Sequence, residues 1–272
     1  MAVGELADLP TSYTDTDAHW EKQKNSLKGD LFFWDGREAA DRLQYRIMEM
    51  LPSIAGLLIA LGGPPLVAFY GAHGASRPES LATNLLCQAA LLGLLMAIML
   101  IVLVWEGAPL SSLGLRPVDL TTFAWAAGIA SLFVFLLGPI ILRLPEWLGR
   151  PGFEKPLAGL QKLPVWYLLL AVFVGGSVEE LLYRGFAIER LAHIIGSDWL
   201  AAVAVIALFG LGHVPLWGWT PALTMMIPGA ILTIFYLWHR DIAANILAHV
   251  TTDFVGIVLP VLLARTRDPA SR

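Results

Sequence analysis

Residues 164–191, PVWYLLLAVFVGGSVEELLYRGFAIERL, decide the fold. The apolar run at 164–174 continues without a turn into polar residues, so Glu179, Glu180 and Arg184 lie inside or at the edge of a predicted membrane helix. A charge at the bilayer centre costs about 2.5–3.5 kcal/mol on insertion scales, and charged residues there usually mark a functional site. This stretch therefore predicts a membrane helix that carries chemistry.

The composition places the whole chain in the membrane class. Of 272 residues, 57% are hydrophobic and 15% are charged, whereas soluble domains have about 45–50% and 25%. The net charge is −4, and no run of like charges predicts a nucleic-acid surface, so no nucleic-acid partner is expected. Cys87 is the only cysteine and lies in an apolar run, so neither an intrachain disulfide nor a cysteine-based zinc site is expected.

Apolar segments of about 20 residues, the length that crosses the hydrocarbon layer, predict an all-α polytopic membrane helix bundle. Seven such segments cover approximately 50–70, 84–105, 121–142, 164–190, 198–215, 220–238 and 242–264. An interfacial or re-entrant helix around residues 145–160 would add one more, so about seven to eight transmembrane helices are expected. The later loops are short, which predicts antiparallel neighbours.

Polarity divides the chain into two predicted regions. Residues 1–46 form a polar, partly helical cytosolic arm, and the start of this arm lacks the features of a cleaved signal peptide. Residues 47–265 form the transmembrane bundle, with the catalytic helices in 164–264. Lys and Arg are almost evenly distributed between the two sides of the seven spans, so the positive-inside rule leaves the side of the C-terminus open.

The ionisable residues that are candidates for chemistry, because they lie well inside or near the ends of the predicted spans, all occur in the C-terminal half. They are Glu179, Glu180, Arg184, His213, His249 and Asp253. The first three spans carry none, which predicts a scaffold half and a chemical half. Two histidines and an unpaired carboxylate on neighbouring helices are what water activation requires, so the set favours hydrolysis.

Helical spacing predicts which of these side chains pair in the fourth span. Glu180 and Arg184 are four residues apart and share a face, and their pairing reduces the cost of burying either charge. Glu179 is offset by about 100° and cannot share the arginine as easily. One carboxylate is thus expected to be neutralised and the other to remain available.

The same spacing aligns polar groups on two later helices. Asn245, His249 and Asp253 are spaced by four and direct an amide, an imidazole and a carboxyl to one side of the seventh span. Phe209 and His213 are also four apart, and the glycines at 210 and 212 would let a neighbouring helix approach closely. Taken singly, each feature has a structural interpretation: His213 as a packing residue, the Glu180–Arg184 pair as a helix lock, and the stripe as interhelical glue.

Three motifs together resemble the CAAX protease and bacteriocin-processing family, also called the Abi family, which is related to the type II CAAX prenyl endopeptidases. The family pattern is EExxxR, then FxxxH, then HxxxN or HxxxD, each on a membrane helix. Here these segments are EELLYR at 179–184, FGLGH at 209–213 and HVTTD at 249–253. The loop SSLGLRPVD at 111–119 is also similar to an upstream "LGLR" segment of the family. The resemblance covers roughly residues 110–264.

The resemblance implies an intramembrane endopeptidase in a bacterial inner (plasma) membrane. Glu179 would be the general base that activates water, His213 would help to hold that water, and His249 with Asp253 would form the oxyanion hole. Glu180 and Arg184 would orient the site. The expected partners are the lipid bilayer and a peptide or protein substrate that enters from the membrane; the substrate, including whether it is prenylated, and the oligomeric state stay open.

Three alternatives remain from the sequence. A zinc site could be formed by Glu179, His213 and His249, although no HExxH helix is present and the resemblance implies catalysis without a cofactor or metal. A non-proteolytic immunity or partner-binding protein of the same fold is a second. A transporter with a proton relay is the third, but no internal repeat supports it.

Asp253 departs from the asparagine of many relatives. A carboxylate can donate a hydrogen bond only when it is protonated, whereas an amide donates at any working pH. Asp253 is therefore expected either to stay protonated and donate, or to stay ionised, accept from His249 and orient that ring. In the second case the amide of Asn245 could donate to the oxyanion instead.

Overall fold

The computed structural model describes residues 36–74 and 80–267, so most of the predicted cytosolic arm lies outside the described residues. The described part is entirely helical, without a strand. Within it, seven segments are long and apolar enough to cross a membrane, and they are numbered here spans 1 to 7 in chain order: Met50–His73, Leu81–Trp105, Leu120–Trp147, Val165–Ile195, Asp198–Trp217, Trp219–His239 and Ile242–Thr266. The protein is a multi-pass integral membrane protein, and the prediction of a polytopic helical bundle is confirmed.

Several helical segments make up each span. The α-helices are Gly36–Phe69, Leu81–Leu100, Leu120–Ser131, Gly138–Trp147, Glu154–Leu160, Val165–Glu179, Glu189–Ile195, Asp198–Gly212, Val214–Trp217, Trp219–Thr224, Met226–His239, Ile242–Asp253 and Leu259–Arg267. The π-helices are Tyr70–Gly74, Ile101–Trp105, Leu132–Leu137, Glu180–Ile188 and Phe254–Val258, and Leu110–Leu113 is a 3₁₀-helix. The helix Glu154–Leu160 lies where an eighth segment was considered, but its 7 residues are too few to cross the bilayer.

Two compact units divide the chain, Met1–Glu49 and Met50–Arg272. The described part of the first unit is the beginning of the helix Gly36–Phe69. The second unit contains all seven spans.

The starts of four spans are capped by side chains that the sequence places directly before them. A helix leaves its first N–H groups without partners inside the helix, and hydrocarbon offers none. Ser80, Asp119, Ser197 and Asp241 each accept a hydrogen bond from such a backbone N–H group, at the starts of spans 2, 3, 5 and 7. The boundaries of these spans are therefore encoded locally.

Span 4 is at the centre of the bundle. Half of its most apolar stretch is buried, a larger share than in any other described span. Glycines allow its neighbours to approach: a Cβ atom on Gly56 of span 1 would lie 2.2 Å from Cζ of Phe186. The predicted close approach at Gly210 is confirmed, because a Cβ atom there would lie 2.3 Å from Cγ of Met226.

Ion pairs join the ends of the spans on one side of the bundle. We call this set the boundary network; its residues are Glu106, Arg116, Glu189, Arg190, Asp198, Arg240 and Asp241. Arg190 Nη2 lies 2.6 Å from Glu106 Oε2, and Arg116 Nη2 lies 2.8 Å from Asp241 Oδ2. Arg240 contacts both Glu189 and Asp198. The network ties together spans that are distant in the sequence.

One member of the boundary network shows how such pairs keep their charge. Burial disfavours the charged guanidinium of Arg240, but Glu189, Tyr236 and Asp198 together outweigh this effect and raise the pKa of Arg240 above its ordinary value. Arg240 also adopts a left-handed backbone conformation, with φ of 48°. This conformation is uncommon for a residue other than glycine, and here it marks the tight turn between spans 6 and 7.

Candidate active site

The predicted site residues converge on one cluster inside the bundle. Span 4 contributes three of them, span 5 the histidine after its α-helix, and span 7 the remaining three. We call this set the interior cluster; it consists of Glu179, Glu180, Arg184, His213, Asn245, His249 and Asp253. Every member lies within 4.0 Å of at least one other member.

Glu180 is the fully buried anchor of the interior cluster. Its Oε1 atom lies 2.8 Å from Arg184 Nη1 and 2.8 Å from His249 Nδ1, and its Oε2 atom accepts a hydrogen bond of 3.0 Å from Asn245 Nδ2. The predicted pair with Arg184 is confirmed. Three donors from two helices surround this carboxylate, so its charge is compensated inside the protein.

Arg184 is equally buried and is held from span 6 as well. Its Nη2 atom donates to the carbonyl oxygen of Gly229 at 2.9 Å, and its Nε atom donates to Thr233 Oγ1 at 3.2 Å. The guanidinium also lies over the ring of Phe209, 4.5 Å from its centroid. All the nitrogen atoms of Arg184 therefore have fixed partners.

The contributions of Gly229 and Thr233 were missed from the sequence. A Cβ atom on Gly229 would lie 2.9 Å from Phe209 Cδ1 and 3.4 Å from Arg184 Nη2, so a glycine makes room for both side chains. Two small residues spaced by four in an apolar helix are typical of close helix contacts, and that pattern could have indicated this surface.

Glu179 differs from its neighbour because no hydrogen bond joins its carboxyl group to another described residue. Its Oε1 atom lies 3.8 Å from His213 Nε2, and its Oε2 atom lies 4.0 Å from His249 Nε2. These separations exceed direct hydrogen bonds, and a bridging water is the usual occupant of such a gap. The side chain is 22% exposed, so water can reach it. The predicted availability of this carboxylate agrees with the geometry.

His213 is oriented by the backbone of its own helix. It follows the last residue of the helix Asp198–Gly212, and its Nδ1 atom lies 2.7 Å from the carbonyl oxygen of Phe209. A carbonyl can only accept, so Nδ1 carries the proton, and Nε2 in the neutral ring is an acceptor that faces Glu179. The spacing of four between Phe209 and His213 thus lets the His213 ring bind the carbonyl oxygen of Phe209 one turn earlier.

His249 faces two carboxyl groups with its second nitrogen. Because Nδ1 donates to Glu180, Nε2 is left facing Glu179 and also lies 3.5 Å from Asp253 Oδ2. Asp253 is 35% exposed at its side chain, more than Glu179, so it lies at the open edge of the cluster. The predicted contact between Asp253 and His249 is present.

Asn245 lies deeper than the sequence indicated. Its Nδ2 atom donates to Glu180 Oε2 and to the carbonyl oxygen of Leu232, each at 3.0 Å, and its side chain is fully buried. Both N–H groups of its amide are thus used within the protein. Asn245 supports Glu180 instead of facing Glu179.

Span 4 changes its helical type between the two glutamates. The α-helix ends at Glu179, and a π-helix of 9 residues runs from Glu180 to Ile188 with every residue buried. A regular α-helix was assumed from the sequence. π-Helical turns occur mostly as short segments and are frequent at functional sites. Here the change from α-helix to π-helix lies between the available carboxylate of Glu179 and the paired carboxylate of Glu180.

The zinc alternative requires Glu179, His213 and His249 to surround one metal ion. Among residues 36–74 and 80–267, no group of three or more His, Cys, Asp and Glu side chains has an arrangement that could hold a metal ion. The two histidine Nε2 atoms and the Glu179 carboxyl do face one another, at 3.8 and 4.0 Å.

Comparison with known proteins supports the resemblance. Residues 161–255 match the model of the family described as type II CAAX prenyl endopeptidase Rce1-like. The match extends from the start of span 4 through Asp253, and it includes all members of the interior cluster. No curated protein and no solved structure matches the chain.

The resemblance to the CAAX protease family is thereby confirmed for this part of the chain. This similarity supports a CAAX-type protease in general.

Proposed function

We propose that the protein is an intramembrane endopeptidase that hydrolyses a peptide bond of a membrane-associated protein or peptide. The observation that carries this proposal is the position of Glu179, whose carboxyl oxygens face the Nε2 atoms of two histidines across gaps of 3.8 and 4.0 Å. A water molecule in these gaps would contact a base and an orienting ring at once. The family match over residues 161–255 supports the same reaction class.

Glu179 acts as the general base in this mechanism. The water donates one hydrogen bond to Glu179 and the other to the acceptor nitrogen of His213, which the Phe209 carbonyl holds in the required tautomer. Glu179 takes the proton as the water oxygen attacks the peptide carbonyl, and it then passes that proton to the leaving amine. General acid–base catalysis of this kind contributes about 10²- to 10⁴-fold.

His249 stabilises the oxyanion that develops on the substrate carbonyl. Glu180 fixes the ring through Nδ1, so a proton on Nε2 makes the ring a charged donor that faces the reaction site. Asp253, 3.5 Å from Nε2, favours this charged form. We assign Asn245 and Arg184 to positioning, because their donors are used on Glu180 and on neighbouring groups.

The substrate reaches this site from the bilayer. The matched family is described by its action on CAAX prenyl substrates, so a peptide with a prenylated cysteine near its C-terminus is the first candidate. A peptide without a lipid is the alternative. Two peptides of identical sequence, one farnesylated and one not, distinguish these cases.

The test uses the full-length protein reconstituted in liposomes. Both peptides are incubated with the wild-type protein and with the Glu179→Gln variant, and the products are identified by mass spectrometry. Cleavage by the wild type alone supports the proposal. If neither peptide is cleaved, the membrane peptides of cells that contain the wild-type protein are compared with those of cells that contain the Glu179→Gln variant. The absence of any Glu179-dependent product would favour a non-proteolytic, partner-binding role.

Chelation tests whether a metal takes part. We expect the reconstituted enzyme to retain its activity after exhaustive chelation and dialysis, because the proposed base, orienting rings and oxyanion donor are all side chains of the protein. Elemental analysis of the same sample measures bound metal. Activity that disappears with the chelator and returns with zinc would establish the zinc mechanism instead.

A further inference from the structure

Tyr183 is a buried residue of span 4 that the proposed mechanism does not yet use. Its side chain is 2% exposed, and its ring packs edge to face against Phe209 with centroids 5.2 Å apart. Within the described residues, its hydroxyl group has no hydrogen-bond partner. The oxygen atom itself is not fully enclosed, so it borders space that a water molecule can enter, and a polar atom in such a place is usually completed by water.

The hydroxyl of Tyr183 lies against the segment that directly precedes His213. It is 3.3 Å from the position that a Cβ atom on Gly212 would take, and Gly212 directly precedes His213. Glu179 precedes Tyr183 by four residues on span 4, about one helical turn. Tyr183 is thus a neighbour of the segments that carry Glu179 and His213, the two groups that face each other across the 3.8 Å gap.

Other tyrosines in the core have partners for their hydroxyl groups. Tyr236 donates to Glu189 Oε1 at 2.8 Å, and Tyr167 donates to the carbonyl oxygen of Asn84 at 3.4 Å. Both serve the packing of the bundle. The hydroxyl of Tyr183 has the same burial but no such partner, so its partner is expected to be a molecule that enters the site.

The number of hydrogen bonds that a water molecule can form indicates the role of this hydroxyl. A water molecule has two protons and two lone pairs. In the proposed mechanism its protons go to Glu179 and to the acceptor nitrogen of His213, and one lone pair attacks the substrate. The second lone pair needs a donor. His213 supplies none, because its proton is hydrogen-bonded to the Phe209 carbonyl, and His249 directs its Nε2 proton to the substrate oxyanion.

We propose that Tyr183 is a further catalytic residue, whose hydroxyl donates a hydrogen bond to the oxygen of the attacking water and holds it between Glu179 and His213. This inference rests on the proposed protease function and adds a residue to it. Gly212 belongs to the same device, because a side chain at position 212 would meet the hydroxyl.

The test compares Tyr183→Phe with Tyr236→Phe in the reconstituted full-length protein. Each variant keeps its ring and loses only a hydroxyl. The measured quantities are kcat, KM and Tm. The substrate is whichever of the two CAAX peptides the wild type cleaves; if it cleaves neither, a Glu179-dependent membrane peptide is used. We expect Tyr183→Phe to lower kcat about tenfold, the effect of one lost hydrogen bond, with KM and Tm unchanged. Tyr236→Phe should lower Tm and leave kcat unchanged, because it removes a partner of Glu189.

The outcomes separate this inference from the protease assignment. If Glu179→Gln abolishes cleavage but Tyr183→Phe does not reduce it, the role of Tyr183 is overturned and the protease assignment stands. A Tyr183→Phe variant with a reduced Tm and an unchanged kcat would assign the hydroxyl to packing and also overturn it. If no Glu179-dependent product exists, the protease proposal and this inference fail together.

Discussion

The interior cluster and the boundary network both bury charged side chains, but they satisfy them differently. In the boundary network, Glu106 is bound by Arg190 and also accepts a hydrogen bond from Ser53, so its oxygens contact groups of the protein. In the interior cluster, Glu180 has three such donors, whereas Glu179 beside it has none within hydrogen-bond distance. Compensated charges hold the helices together, and the uncompensated carboxylate is left for chemistry.

This difference has a physical basis in solvation. A charge left without partners inside a protein is costly, so it persists only where the fold enforces it or where another molecule completes it. Both conditions apply to Glu179, since span 4 is anchored through Glu180 and Arg184 and the gap to the histidines can hold water. The comparison therefore predicts that variants of the two sets separate activity from stability.

The largest effect is expected for Glu179→Gln. Loss of the proton acceptor should reduce the turnover number by about a hundredfold or more, whereas the folded yield and Tm should equal those of the wild type, because no protein partner of Glu179 is lost. Peptide turnover measures the loss of activity, and thermal unfolding in detergent measures the stability. The exposed Glu154→Gln variant is the matched control and should be fully active. Wild-type turnover in Glu179→Gln would refute the assignment of the base.

The second effect concerns the anchor of the interior cluster. Glu180→Gln or Arg184→Leu should lower the free energy of unfolding by about 3–5 kcal/mol, because each change leaves a buried charge without its partner. Folded yield after membrane extraction and denaturant unfolding report this loss. The combined variant should cost less than the sum of the single variants, since neither charge is then left alone. Strictly additive losses would show that the pair is not coupled.

A smaller effect is expected in the boundary network. Glu106→Gln weakens the charged contacts with Arg190 and should lower the free energy of unfolding by about 1–3 kcal/mol. The folded fraction should keep the kcat of the wild type, because Glu106 is outside the interior cluster. A loss of kcat without a loss of stability would mean that the two sets are functionally coupled.

The smallest effect should come from Asp253→Asn. Asparagine is the same size and can donate a hydrogen bond without being protonated, so activity should persist within about tenfold, with a changed pH profile because the carboxylate no longer favours the charged form of His249. The comparison variant Asp253→Ala should lose more activity. Initial rates across the pH range measure both. Identical profiles for the wild type and Asp253→Ala would remove Asp253 from the mechanism.

Local patterns were sufficient for the membrane helices. Length, apolar composition and capping residues such as Ser80 and Asp119 are properties of short segments. The prediction of about seven to eight spans agrees with the seven spans of the described residues. The pairing of Glu180 with Arg184 is also local, because it depends only on a spacing of four. The family resemblance depended on the same short motifs, and the match over residues 161–255 confirms it.

Contacts between distant segments were beyond the reach of these patterns. Glu180 meets Asn245 and His249 across separations of 65 and 69 residues, and Arg184 meets Gly229 and Thr233 on a helix without charged residues in its interior. The amide of Asn245 was expected near the oxyanion, yet its donors point to Glu180 and to the carbonyl oxygen of Leu232. Spacing along one helix defines a face but not which neighbour that face meets.

The sequence by itself determined that this protein crosses the membrane, approximately where its apolar spans lie, and which ionisable residues enter them. These follow from the local cost of placing charge and unpaired backbone groups in hydrocarbon. Only the tertiary structure decided that Glu180 is enclosed by donors while Glu179 faces an open gap, that a π-helix begins at Glu180, and that the hydroxyl of Tyr183 lies against Gly212, the residue before His213. The reason is physical: those outcomes depend on the rotation and packing of helices that meet only when the chain is folded.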